Sequence, residues 1–89
     1  MNMQFFANRN IGRMKSTELQ KSIASWKEQE QLHIDKLQNP EQYYPNWNQF
    51  DQRYQNGLKK HWEHEIATFR ADIEAALEEL RKRGDTYGG

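Results

Sequence analysis

With 89 residues, 35% of them apolar, and no cysteine, the chain can build one small core and has no covalent staple for it. Thirteen basic and thirteen acidic side chains cancel, which argues against a nonspecific polyanion binder and leaves a nucleic-acid-binding module as a lesser alternative. No apolar run approaches the roughly 20 residues that cross a bilayer, and Met1-Asn2-Met3-Gln4 offers no basic n-region ahead of Phe5 and Phe6, so neither a membrane span nor a secretory leader is expected.

Residues 1–15 show no sustained period. Phe5, Phe6, Ile11 and Met14 are scattered among Asn, Arg and Gly, which predicts an N-terminal arm. Thr17 with Gln20 fits a capping box, and Leu19, Ile23, Trp26, Ile34 and Leu37 then recur on one helical face. Glu30 and His33 fill the positions where that stripe lacks an apolar member. Asn39-Pro40 ends the pattern, so the first helix is predicted over about 17–38.

The connection carries Tyr43, Tyr44, Trp47 and Phe50 between Pro40, Pro45 and several Asn. The prolines forbid a long helix but allow one turn after Asn39. The rings are expected to plug the end of a helical hairpin; a ligand-stacking platform is the sharper alternative.

Asp51 is a predicted cap for a second helix over about 51–83. Its stripe comprises Tyr54, Leu58, Trp62, Ile66, Phe69, Ile73, Leu77 and Leu80. Arg81-Lys82-Arg83 followed by Gly84 marks its end. Asn56-Gly57 is a turn dipeptide, which predicts a kink there or a start delayed to Leu58.

The fold class is therefore all-α: an antiparallel two-helix hairpin (16–84) with an aromatic-rich connecting loop, an N-terminal arm (1–15) and a flexible tail (85–89). Trp26, Ile34, Trp47, Trp62 and Phe69 are the expected core. Setting Gln38 opposite Asp51 places Thr17 beside about Asp72, and the rest of the second helix overhangs by about two turns. Ile73, Leu77 and Leu80 would then face water and, with Phe5 and Phe6, are the expected partner-contact residues. A homodimer closing into a four-helix bundle would cover them.

One constellation invites a chemical reading. Glu30-x-x-His33 on the first helix, with His61 and Glu65 one turn apart on the second, is a partial version of the carboxylate–imidazole pattern of metal-binding bundles. The competing expectation is a polar layer of Glu30 and His33 that sets pairing register. No nucleophile–base pair and no glycine-rich phosphate loop occurs, so neither catalysis nor a cofactor is expected.

The stretch Asn39-Pro40-Glu41, Trp47-Asn48, Phe50-Asp51-Gln52-Arg53-Tyr54-Gln55-Asn56-Gly57-Leu58-Lys59-Lys60-His61-Trp62-Glu63-His64-Glu65-Ile66 and Glu79-Leu80-Arg81-Lys82-Arg83-Gly84-Asp85 resembles a small helical family of phages and prophages of Gram-positive bacteria. Similar segments stand beside toxin domains in larger phage and polymorphic-toxin polypeptides. The opening Met3-Gln4-Phe5-Phe6-Ala7 is similar to a short leader of phage structural-gene products, with Met where Leu is usual. The resemblance covers nearly the whole chain and carries over no enzymatic residue. It implies a phage or prophage accessory protein working by protein–protein contact, in the host cytoplasm or in the virion. Virion or head assembly fits the leader; inhibition of a host defence protein fits the small size and the acidic second helix.

Overall fold

The computed structural model describes residues 11–85. Among them the elements run α1 (Ser16–Gln38), α2 (Pro40–Tyr43), a 3₁₀ turn η1 (Trp47–Gln49) and α3 (Gln52–Lys82), with no strand. Helices α1 and α3 pack against each other, and the all-α hairpin is as expected. Phe5 and Phe6, and the tail beyond Asp85, lie outside the described residues.

The helix ends follow local chemistry. The cap of α1 falls at Lys15, two residues before the expected one: the Lys15 N–H donates to Glu18 Oε1 at 2.9 Å, so the capping pair is Lys15 and Glu18 and not Thr17 and Gln20. Proline at the first position of α2 is compatible with a helix because its missing N–H has no partner to lose there. Asp51 caps α3 as expected, its Oδ1 accepting the Arg53 N–H at 2.9 Å. Gly84 closes α3 with φ of 80°, while the Gly84 N–H donates to Arg81 O at 3.0 Å and the Asp85 N–H to Leu80 O at 2.9 Å. That terminus ties down Asp85, where the tail was expected to begin.

Helix α3 starts at Gln52 and continues through Gly57, contrary to the expected start delayed to Leu58. A turn dipeptide is a local preference of about 1 kcal/mol, and a long apolar stripe overrides it.

The pairing register also differs from expectation. Glu30 faces Arg70, His33 faces Phe69, and Ser16 faces Arg83 and Asp85. Gln38 therefore lies level with roughly residue 63, not with Asp51. The connection does not double back tightly. It climbs beside the first ten or so residues of α3, and its rings cover them.

This shift reverses the overhang. Ile73 and Leu80 are buried with Ile11, Leu19, Ile23 and Ala76, and Met14, Trp26, Ala75 and Leu77 pack around that cluster. Leu80 is 1% exposed and Ile11 3%. The end of α3 is thus covered by α1 and by the chain's own leading segment, and its burial leaves no exposed apolar overhang for a second chain. Ile11 and Met14, expected in the arm, belong to this packed unit. Arg83 holds that segment in place, donating to Glu79 at 2.9 Å and to Ser16 Oγ, Ile11 O and Gly12 O at 3.3 Å each.

Candidate functional site

A second cluster, built from rings, occupies the opposite end. Trp62, 2% exposed, and Trp47, 6% exposed, form its floor. Tyr44 and Trp47 stack on Trp62 with centroids 5.9 and 5.8 Å away. Phe50 meets Tyr44 and Trp47 edge-on at 5.9 and 5.8 Å. Offset and edge-to-face contacts at these separations match the ring quadrupoles, and each adds to plain burial. Gln55 Nε2 donates to Trp47 O at 2.7 Å, fixing η1 to α3.

The rigid stack presents an outer layer. Tyr54 sits edge-on to Phe50 at 5.1 Å and remains 53% exposed, and Tyr43 is 37% exposed. Basic groups stand near this end: Lys36 Nζ lies 5.9 Å from the Tyr43 ring centre, Lys59 Nζ 6.0 Å from that of the buried Trp47, and Arg53 is exposed next to Tyr54 in sequence. Aromatic faces attract cations, and the pairing keeps both partly desolvated. The result is a tip with Tyr54 as its exposed ring, carried on a packed base of Phe50, Trp47, Tyr44 and Trp62. No enclosed slot for a flat ligand is formed by these rings, because Trp47, Tyr44 and Trp62 fill one another's faces.

Between the two clusters lies a polar waist. Arg70 Nε donates to Glu30 Oε2 at 2.6 Å across the helix seam. His33 Nδ1 donates to the Gln29 carbonyl at 2.6 Å, so that nitrogen carries the ring proton, and its ring lies 5.5 Å from Phe69. Asp72 is 9% exposed with Oδ1 unpartnered, and burial raises its pKa above the ordinary carboxylate value. Sequence reasoning missed Asp72, which interrupts no stripe and sits where a charged face was expected.

The structure does not gather the metal-ligand candidates. Glu30 is level with Arg70, so His61 lies about 13 Å further along the axis, nine residues at 1.5 Å each. His61 is exposed, Glu65 is half-buried, and Glu30 is engaged by Arg70. Among the described residues no group of three or more His, Cys, Asp or Glu side chains is placed to hold a metal ion. Glu30 pairs across the seam with Arg70, whereas His33 bonds within its own helix and its ring faces Phe69.

Of the expected core, Trp47 and Trp62 are buried, whereas Trp26, Ile34 and Phe69 are half-buried. A helix with a single neighbour covers one strip of its surface, so the flanks of a wide stripe stay partly open. One such flank is a groove of about 310 Å³ lined by Ile34, Leu37, Glu63, Ile66, Ala67 and Arg70. Among the described residues no helix is long and apolar enough to cross a membrane. Comparisons of the chain with protein-family models, with curated proteins and with solved structures each returned no match.

Proposed function

We propose that the chain is a phage or prophage accessory protein that works by binding other proteins and not by catalysis, most directly in virion or head assembly. The observation that carries the contact reading is the aromatic tip. Tyr54 stands exposed on a base of stacked rings, edge-on to Phe50, with Arg53 next to it in sequence and Lys59 beside Trp47. Tyr, Trp and Arg dominate binding hot spots, because a rigid amphipathic side chain loses little entropy when a partner covers it. The resemblance of residues 39–66 and of the Met3–Ala7 opening to phage proteins supports the assignment to phage assembly. Self-association belongs to the same reading, but on a face other than the one expected, since Ile73 and Leu80 are already covered.

Quantitative mass spectrometry of particles purified from a host that expresses the gene tests the assembly role. A fixed ratio of this chain to the capsid protein is the expected result. Its absence from particles, with a stable complex on one host protein instead, transfers the function to inhibition of a host factor. Absence of any protein complex removes the contact reading.

A further inference from the structure

We propose that the groove beside Ala67 is the interface of a two-fold symmetric dimer, with α3 of one copy lying antiparallel on α3 of the other. This rests on the reading that the chain acts by protein contact, and it names the partner on this face as a second copy.

The argument is one of charge complementarity. In a two-fold interface each residue i meets j while j meets i, so a self-pairing helix must carry opposite charges at equal distances from its centre. The outward stripe of α3 does so about Ala67 to within one residue. Glu63 lies four residues before Ala67 and Arg70 three after it, and Lys60 and Glu74 flank it at seven residues each; all five positions are exposed. Antiparallel pairing through Ala67 sets Glu63 of each copy against the other copy's Arg70, and Lys60 against the other copy's Glu74. A parallel pairing would set like against like, which is unfavourable.

Three further features fit. Ala67 is the smallest side chain on that stripe and allows two helix axes to approach to about 8 Å. Ile34, Leu37 and Ile66 line the groove beside it, giving an apolar centre with a charged rim, the usual anatomy of an interface. Arg70 uses Nε for Glu30, yet its side chain is 62% exposed, so the outer edge of the guanidinium is turned to solvent and can meet a carboxylate from outside.

Sedimentation equilibrium of the full chain over a range of concentrations, with three charge variants, tests the arrangement. Glu63→Arg leaves the Glu30–Arg70 pair untouched and should weaken the dimer by about tenfold or more. Arg70→Glu should weaken it similarly. The double variant Glu63→Arg/Arg70→Glu places opposite charges together again across the axis and should restore association, although it loses the same internal ion pair as Arg70→Glu alone. Circular dichroism verifies that each variant is folded. A wild-type monomer at all concentrations overturns the proposal and leaves the groove to another occupant, the chain's own residues 1–10 or a foreign protein. A dimer indifferent to Glu63→Arg, or a double variant no better than the single ones, also overturns it. Binding to another protein through Tyr54 is measured separately, so loss of the dimer with that binding intact removes this proposal and spares the broader reading.

Discussion

The indole of Trp47 lies on that of Trp62, ring centres 5.8 Å apart and planes 26° from parallel. This contact joins the connection to the second helix and lets the chain climb past the end of α1 before turning back. It thereby fixes which residues of α3 meet α1.

Trp62→Ala should lower the unfolding free energy by ~3–5 kcal/mol, because Trp62 is 2% exposed and supports both Tyr44 and Trp47. Urea denaturation followed by circular dichroism measures it. A loss below about 1 kcal/mol would mean that the ring stack is not the base of the tip.

Leu80→Ala should reduce stability by ~2–5 kcal/mol, through a cavity among Ile11, Leu19 and Ile23. Since those neighbours belong to the same chain, the loss should be the same at every protein concentration. A penalty that grows on dilution would show that another copy covers Leu80.

Gly57→Ala should stabilise the protein by about 0.5–1 kcal/mol, because Gly57 is exposed inside a continuous helix and nothing lies within 4 Å of the added methyl group. Thermal unfolding reads this directly. Destabilisation would indicate that the backbone departs from a helix at Asn56-Gly57.

Asp72 gives a pH-dependent prediction. Its pKa is raised in the folded protein by desolvation, so the unfolded chain ionises first as pH rises. The favourable state is the protonated one: stability is fully present below the unfolded carboxylate pKa and is lost as pH rises through the higher folded value. Asp72→Asn should therefore be more stable than the wild type at neutral pH, with the advantage shrinking as pH falls toward the unfolded carboxylate range. Melting curves at pH 3 and pH 7 provide the comparison, and an advantage that grew at low pH would contradict the assignment.

Much of this architecture was legible in the residues. The two apolar stripes, the Asn39-Pro40 stop, the Asp51 cap and the Gly84 terminus are local signals with local causes, and each helix end falls within one or two residues of expectation. The register was not, since it depends on how far thirteen connecting residues carry the chain. Pro40, Trp47 and Phe50 announce an ordered connection but not its direction. Once the rings stack along α3, Leu80 meets Ile11 and the expected overhang vanishes. The candidate site divides in the same way. The rings of the connection were visible in sequence as a plug, but the exposure of Tyr54 follows from its being the outermost ring of the stack. The Glu30, His33, His61 and Glu65 set failed because spacing along one helix says nothing about level across two.

The tip variant Tyr54→Ala offers the most direct measurement of the account. Tyr54 is 53% exposed and supports little of the fold, so its removal should leave the unfolding transition nearly unchanged. Titration calorimetry against the protein recovered from particles should show affinity reduced by about tenfold or more relative to wild type. Equal affinity for Tyr54→Ala and wild type, with both proteins folded, would contradict the claim that the aromatic tip is where this chain meets its partner.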